Sequence, residues 1–204
     1  MYWLTPVTDW TVYNDDQRDH KEQPVSWSTY VTTADFWEKT LQNWQSEFLA
    51  VGSMAILAVY LRQRGSPESK ELGKSGRESD EEQKVGEHAT EDSPRWARVG
   101  GLRTRIYSHS LVIVMTAIWL LTWFAQLVTG RIEYNAEQLD HHEAPLSLLQ
   151  YAGASDFWNR TLQNWQSEFL AVASMIVFSI WLRQRGSPES KPVGSPHAST
   201  GVEG

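Results

Sequence analysis

Cysteine is absent from this 204-residue chain, and so is any excess of basic residues. Without cysteine the protein has no disulfide, no thiolate metal ligand and no cysteine nucleophile. The formal net charge of −7 argues against general nucleic-acid binding, which requires a basic surface. The first ten residues, MYWLTPVTDW, contain neither a basic segment nor a long apolar run, so the sequence predicts no secretory signal peptide there.

Charge is also absent from one long internal segment. Residues 106–129, IYSHSLVIVMTAIWLLTWFAQLVT, contain no Asp, Glu, Lys or Arg in 24 positions. The hydrocarbon core of a bilayer is ~30 Å thick and requires ~20 apolar residues of helix. Few soluble helices are apolar on every face over that length. This segment is therefore predicted to be a transmembrane helix.

The chain contains an internal duplication. A shift of 121 places residues 9–72 on residues 130–193 without a gap, and 36 of the 64 pairs are identical. The stretch TLQNWQSEFLAV occurs at 40–51 and 161–172, and LRQRGSPESK occurs at 61–70 and 182–191. Between these blocks, over residues 52–60, only Ser53 and Met54 persist. Such a repeat takes precedence over any other interpretation of the fold.

The duplication predicts an all-α fold, an integral membrane helical bundle built from a tandem two-helix repeat. The counterpart of the helix at 106–129 would begin before residue 1, so we expect the first helix of repeat one to be truncated and the true start to lie upstream. The predicted organisation is repeat one at 1–64, with an outer flank at 9–34 and a membrane helix at about 35–64; a disordered cytoplasmic linker at 65–102; repeat two at 103–185, with membrane helices at about 106–129 and 156–185 around an outer flank at 130–155; and a disordered tail at 186–204.

The distribution of Lys and Arg predicts the orientation. Residues 62–105 contain ten of them and residues 183–204 contain three, whereas residues 1–43 contain three and residues 130–164 contain two. The positive-inside rule places the linker and the C-terminus in the cytoplasm of a multi-pass cell-membrane protein. Both flanks then lie outside, and the repeats share one orientation about a pseudo-twofold axis along the membrane normal.

The repeated block 40–51 is predicted to mark the place where a helix enters the membrane. The charge-free part of the first long helix, residues 48–61, has 14 residues and is too short to span alone, so a crossing helix must bring residues 42–47 to the membrane edge. Glutamates at that depth are costly and often functional, and a facing pair could hold a proton or a cation. The interpretation we favour is that both glutamates lie in the headgroup zone. The candidate polar seam consists of Gln45, Ser46, Glu47, Gln166, Ser167 and Glu168.

The outer flanks repeat the pattern Tyr-Asn-x-x-Gln-x-Asp-His-x-Glu. A histidine two residues from a carboxylate can bind metal, but this spacing is far less specific than HExxH, so we expect surface helices and no metal site or other cofactor. The candidates in these flanks are His20, Glu22, His141 and Glu143. Amphipathic rings favour membrane interfaces, and four tryptophans are predicted to anchor the outer one. They are Trp37, Trp44, Trp158 and Trp165.

The motifs YNxxQxDHxExPxS, NWQSEFLAV and RQRGSPESK resemble a family of small bacterial membrane proteins known only as a domain of unknown function. The resemblance covers nearly the whole chain and implies four membrane helices in two repeats, without implying an activity. No nucleophile with its base and no phosphate-binding glycine loop is present, so we do not expect an enzyme. Three hypotheses follow: a non-enzymatic membrane scaffold that binds a protein partner or itself, a small ion or proton transporter or channel that uses Glu47 and Glu168, and an accessory subunit of a larger complex.

Overall fold

The structure is a computed structural model that describes residues 4–71, 73–74 and 76–202. Within these residues every regular element is a helix, which confirms the predicted all-α class at this level. The helices are α1 (Leu4–Asp19), α2 (Trp27–Tyr30), α3 (Ala34–Tyr60), α4 (Arg95–Arg98), α5 (Gly101–Ser108), α6 (Ser110–Asp140), α7 (Leu148–Ala152) and α8 (Ser155–Trp181).

The duplication is visible in the positions of the helices. α3 and α8 each have 27 residues, and their ends are related by the same shift of 121 as the sequence. α2 begins at the equivalent of the start of α7, and α1 matches the last 16 residues of α6. The two copies therefore share one secondary structure wherever both are described.

Asp35 and Asp156 each follow small residues, a position typical of an N-cap, but neither is the N-cap of its helix. α3 begins at Ala34, and the hydroxyl of Thr33 accepts a hydrogen bond from the backbone N–H of Phe36 at 3.3 Å. Asp35 lies inside the first turn, where its negative charge favours the positive end of the helix dipole. Asp156 has the same place in the first turn of α8.

The helix predicted at about 106–129 is two helices with a break. α5 ends at Ser108, His109 leaves helical geometry with φ −117° and ψ 10°, and α6 begins at Ser110. α6 then continues to Asp140, eleven residues past the end of the apolar segment. Residues 131–140 contain no proline or glycine, so the helix has no reason to stop where the apolar segment ends.

The long helices end four residues earlier than predicted, at Tyr60 and Trp181, because arginine side chains fold back on their last turns. The guanidinium of Arg62 donates to the carbonyls of Ala58 (3.0 Å) and Val59 (3.1 Å). Arg183 donates in the same way to the last carbonyls of α8, and cationic side chains stabilise this end of a helix. The invariant LRQRGSPESK block is thus a C-terminal capping module.

Serine side chains close the same module. The hydroxyl of Ser69 accepts a hydrogen bond from the backbone N–H of Gln63 at 2.9 Å, and Ser190 accepts one from Gln184 at 3.0 Å. Farther along the linker, Lys70 pairs with Glu78 at 2.8 Å. The linker at 65–102 also carries α4 and one 3₁₀ turn, Gly86–His88. The disorder predicted for the linker and for the tail stays a prediction.

The chain forms two compact units, and each takes residues from both repeats. The first consists of Met1–Ser46 and Trp119–Asn164, and the second consists of Glu47–Ile118 and Trp165–Gly204. α3, α6 and α8 therefore each contribute one part to each unit. The first unit contains both outer flanks, and the second contains both capping modules.

Candidate functional site

The two outer flanks are fixed by the repeated asparagine. The side chain of Asn14 accepts from the backbone N–H of Val25 at 2.8 Å and donates to its carbonyl at 3.0 Å. Asn135 makes the same pair of bonds with Leu146, at 2.7 and 2.9 Å. Each pair ties the end of a helix to the segment that returns toward the next one. The repeated Tyr-Asn motif is therefore explained by its part in the fold.

A buried tyrosine joins each flank to the following long helix. Tyr30 and Tyr151 are fully buried, and their hydroxyls donate at 2.9 Å to Asp35 and Asp156 respectively. Burial raises the pKa of Tyr151, and the hydrogen bond to Asp156 raises it further. The carboxylate therefore satisfies the buried hydroxyl in each copy.

The first aspartate of each long helix also pairs with a cation one turn later. Lys39 lies 2.8 Å from Asp35, and its repeat equivalent Arg160 lies 2.9 Å from Asp156. Arg160 makes a further contact that Lys39 does not have: its guanidinium reaches Glu38 of α3 at 3.2 Å. The backbone carbonyl of Arg160 also accepts from the side chain of Gln42 at 3.1 Å. Arg160 therefore links α8 to α3 within the first unit.

Glu38 is the most deeply buried charge of this cluster. Its side chain is 2% exposed, and one of its carboxylate oxygens has no hydrogen-bond partner. The aligned residue in repeat two is Asn159, so the duplication does not supply a second copy. A buried carboxylate is stable only when it is paired, and Arg160 provides that pairing.

Glu133 on α6 lies close to the same charges, beyond the apolar segment that ends at residue 129. Burial raises the pKa of Glu133 to about 7, and the negative charges of Asp35 and Glu38 add to this effect, while Lys39 and Arg160 oppose it. Its side chain therefore holds a proton near neutral pH far more readily than an ordinary glutamate does. The cluster of Asp35, Glu38, Lys39, Glu133, Asp156 and Arg160 is referred to below as the charged cluster.

Three polar or small residues of α6 are buried, spaced four residues apart on the N-terminal side of Glu133. Thr122, Gln126 and Gly130 are the buried residues of this helix. The amide of Gln126 is 1% exposed, and neither its nitrogen nor its oxygen has a hydrogen-bond partner. Gly130 approaches the hydroxyl of Tyr151 so closely that an added Cβ would lie 2.7 Å from it.

The two copies of the predicted polar seam have different environments. Gln45 and Ser46 are buried on α3, whereas Gln166 and Ser167 are exposed on α8. The hydroxyl of Ser46 donates to the carbonyl of Asn43 at 2.8 Å.

Glu47 and Glu168, the proposed acidic pair, are both partly exposed. They lie in the second unit, near enough to interact electrostatically.

The four candidates of the outer flanks are exposed in the structure: His20, Glu22, His141 and Glu143. The ring of His20 lies 3.0 Å from the backbone carbonyl of Asp16 and 3.5 Å from its carboxylate, at the end of α1. Among the described residues no group of three or more His, Asp or Glu is placed to hold a metal ion. Lys21 and His142, at equivalent positions, both adopt left-handed backbone with φ 62°, so the repeated pattern coincides with a turn.

The predicted interface tryptophans lie at or near the surface. Trp37, Trp44 and Trp158 are 41%, 45% and 39% exposed, and Trp165 is half-buried. The indole N–H of Trp158 donates to the carbonyl of Ala152 at 2.9 Å, which fixes its orientation. Anchoring at a membrane interface stays a prediction.

Fold and site together define an all-helical protein with a partly buried charged cluster, one member of which lies on α6, the one long apolar helix among the described residues. The chain belongs to the family described as Domain of unknown function (DUF6766), whose model matches residues 1–81 and, a second time, residues 61–202. The double match agrees with the internal repeat. Comparison with curated proteins and with solved structures gave no match.

Sequence reasoning missed the charged cluster. Glu38 stands three residues after Asp35, the spacing of a capping box, and no sequence pattern marks Arg160 or Glu133. A signal was present, because these charges stand where the two copies disagree: Glu38 aligns with Asn159, and Glu133 aligns with Val12. The residues that are identical in both copies, such as Asn14, Tyr30 and Arg62, serve the fold.

Proposed function

We propose that the protein is an integral membrane protein without enzymatic activity, a helical scaffold that binds a protein partner or another copy of itself. The observation that carries this proposal is the surface of α6. This helix is long and apolar enough to cross a bilayer, yet only 11% of its most apolar 18-residue stretch is buried. A core helix of a soluble protein would be mostly buried, so the apolar surface of α6 requires another environment.

The exposed side chains of α6 support lipid as that environment. Transferring a Leu or Phe side chain out of water stabilises by about 2 kcal/mol, so a row of them exposed to water is a large penalty. Patches of this kind mark membrane or protein contacts. The exposed apolar residues in the first half of α6 are Leu111, Ile113, Val114, Leu120, Leu121 and Phe124.

In the proposed arrangement α3 and α8 also enter the membrane, which makes the protein multi-pass. Neither helix alone is apolar enough to qualify as a span, because residues 42–47 and 163–168 are polar. The charge-free segments, residues 48–61 and 169–182, are 14 residues long. Each helix extends from its charge-free segment into the polar turns that precede it. The excess of Lys and Arg in the linker supports a cytoplasmic linker and C-terminus. This organisation is the one expected of a family of small bacterial membrane proteins.

Membrane integration is tested with paired arginines on α6. Leu120→Arg with Leu121→Arg places two charges at the centre of the span, at a cost of about 2.5–3.5 kcal/mol each. The matched control is Ile132→Arg with Leu139→Arg, two exposed apolar residues on the polar half of the same helix. We expect the wild type and the control to resist carbonate extraction, and the first variant to lose most of its membrane-integrated fraction. A wild-type chain released by carbonate and folded without detergent refutes the proposal.

The orientation is tested by labelling a single introduced cysteine, which the absence of native cysteine makes possible. Ser167 is exposed, so Ser167→Cys is the informative position, whereas a cysteine at Ser46 would be buried. We expect a membrane-impermeant maleimide to label Ser167→Cys in intact cells. Labelling only after lysis would reverse the proposed orientation.

A second candidate function is proton or cation passage, favoured by the charged cluster and by the unpartnered amide of Gln126. A buried polar stripe on a membrane helix is a frequent marker of a substrate path. The test is flux into proteoliposomes, with two double variants: Glu47→Gln with Glu168→Gln, and Glu38→Gln with Glu133→Gln. Flux that is lost in either variant would favour a transporter over a scaffold. Absence of flux in the wild type would leave the scaffold as the function.

A further inference from the structure

The short helix α5 has apolar residues on its outer side and a polar residue on its inner side. Leu102 is 71% exposed and Ile106 is 42% exposed, and the two lie one turn apart on the same side of the helix. On the opposite side, Thr104 is only 8% exposed. A surface helix of a soluble protein has the reverse arrangement, with its apolar side toward the core. The outer side of α5 is therefore suited to an apolar environment outside the protein.

The orientation of α5 is fixed by its contact with α4. The hydroxyl of Thr104 donates to the backbone carbonyl of Trp96 at 2.7 Å, which holds the polar side of α5 against α4. Gly100 and Gly101, between the two helices, have φ of 72° and 65°, left-handed values that glycine adopts without strain. The outward direction of the apolar side therefore follows from specific contacts of the fold.

Two arginines border this apolar side. At about 3.6 residues per turn, Arg103 and Arg105 lie on either side of the row that Leu102 and Ile106 form. Both arginines are exposed, and two more exposed arginines lie on α4, Arg95 and Arg98. Among the described residues no carboxylate forms an ion pair with any of the four. Their charge is therefore available to an anion outside the chain.

The segment joins directly onto the apolar helix α6. α5 ends at Ser108, and α6 begins at Ser110 after the break at His109. If α6 crosses the bilayer, then its N-terminal end and the adjoining α5 lie at a membrane surface. The break allows α5 to leave the direction of α6 and to lie along that surface. Residues 93–132 contain no Asp or Glu, so this part of the chain has no carboxylate that would repel an anionic surface.

Phospholipid fits this combination of charge and apolar surface. An interfacial helix places its apolar side chains at the boundary of headgroups and acyl chains, while its basic side chains bind anionic headgroups. The planar guanidinium presents paired donors that match the oxygens of a phosphate. A nucleic acid would contact the arginines but would leave Leu102 and Ile106 exposed to water.

We propose that α4 and α5 form a binding site for anionic phospholipid at the membrane surface, in which Leu102 and Ile106 insert among the acyl chains and the four arginines bind headgroup phosphates. The inference rests on the proposed function only in that α6 brings the site to the bilayer. It is independent of the protein partner of the scaffold. Because α4 lies near the end of the linker, lipid binding holds that end of the linker on the membrane.

The test places an environment-sensitive fluorophore on the apolar side of α5, at Leu102→Cys in the otherwise cysteine-free full chain. The protein is reconstituted into vesicles of phosphatidylcholine alone, or of phosphatidylcholine and phosphatidylglycerol in equal parts. We expect the emission to shift to shorter wavelength in the vesicles that contain phosphatidylglycerol. Arg103→Gln with Arg105→Gln should abolish most of this shift, because it removes the two charges that border the apolar side.

The matched control is Arg77→Gln with Lys84→Gln, which removes the same charge from exposed positions of the linker. The control should keep the full shift. A shift of equal size in all variants overturns the proposal, because the arginines then do not bind the lipid. Emission that is the same in both kinds of vesicle also overturns it, and assigns this side of α5 to a protein partner.

Flotation of the vesicles on a density gradient keeps the lipid site separate from the membrane assignment. A chain that does not float with vesicles of phosphatidylcholine alone refutes membrane integration. A chain that floats with both kinds of vesicle, but whose emission does not respond to phosphatidylglycerol, refutes the lipid site alone.

Discussion

Arg160 and Lys39 occupy equivalent positions in the two repeats, yet only Arg160 reaches a second carboxylate. Both cations pair with the aspartate one turn earlier, at 2.9 and 2.8 Å. Arg160 adds the 3.2 Å contact with Glu38, whose side chain is almost completely buried. The planar guanidinium suits this double role, because it presents several donors in a fixed arrangement. The duplicated position therefore has an additional role in repeat two, where Arg160 connects α8 to α3.

The first prediction concerns that connection. Arg160→Met leaves Glu38 buried without its partner, and we expect it to lower the free energy of unfolding by about 3 kcal/mol. Lys39→Met is the matched control, and it removes a partly exposed pair for which we expect about 1 kcal/mol. The measurement is thermal unfolding in detergent, followed by circular dichroism. Equal melting temperatures for the two variants would contradict the role assigned to Arg160.

The second prediction concerns pH. The pKa of Glu133 is raised from 4.5 to about 7, so the folded protein binds this proton more tightly than the unfolded chain does. Stability therefore falls as the pH rises from about 4.5 to about 7, and it levels off above that range. Glu133→Gln removes this loss, and after discounting for solvent screening we expect it to stabilise by about 1 kcal/mol at pH 8. The two proteins should converge near pH 4.

The measurement is the melting temperature of both proteins at half-unit pH steps, with Glu137→Gln as the control. Glu137 is an exposed glutamate on the same helix. A difference between wild type and Glu133→Gln that stays constant from pH 4 to pH 8 would show that Glu133 does not titrate in this range.

The third prediction concerns the approach of Gly130 to Tyr151. Gly130→Ala places a methyl group 2.7 Å from the tyrosine hydroxyl, which holds Asp156, so one of the two must move. Overpacking of this kind costs about 1–3 kcal/mol, partly offset by the higher helix propensity of alanine. Gly153→Ala is the control, because its nearest neighbour is 3.5 Å away.

Removing the hydroxyl should relieve the clash. Tyr151→Phe lowers stability alone, but together with Gly130→Ala it should cost less than the sum of the two single changes. A double-mutant cycle measures this difference. If the effects of Gly130→Ala and Tyr151→Phe on stability simply add, then the added methyl group does not contact the tyrosine hydroxyl.

The fourth prediction concerns Gln126. Both polar atoms of this buried amide lack a partner, so Gln126→Leu should stabilise the fold by about 1 kcal/mol. Gln126→Asn is the comparison, because it keeps the amide and shortens the side chain. If Gln126→Leu is less stable than the wild type, then the amide has a hydrogen-bonding partner. Water or a bound ion would be such a partner.

The sequence was sufficient to predict the long helices and their relation. Trp37, Leu41, Trp44 and Phe48 recur at helical spacing, which is typical of a helix such as α3, and the duplication extends the same pattern to α8. Helix ends were less accurate because they depend on side chains that fold back. Arg62 was expected inside the helix, but its guanidinium caps the final turn.

The site was harder to predict for a physical reason. The interaction of Arg160 with Glu38 joins residues 122 positions apart, and no local pattern specifies such a pair. Glu133 likewise acquires its environment from α3 and α8. The sequence also cannot predict that one copy of the repeated block is buried and the other exposed, because the two copies are identical.

The arginine and serine caps that end α3 and α8 have a consequence for how the protein tolerates change. A helix that is ended by a capping module at its C-terminus needs no helix-breaking residue in its interior. The nine residues before each module differ at seven positions, yet α3 and α8 stop at equivalent residues. Helix length is thereby inherited separately from helix composition, so the residues of the last turns can change while the length of α3 and α8 stays the same.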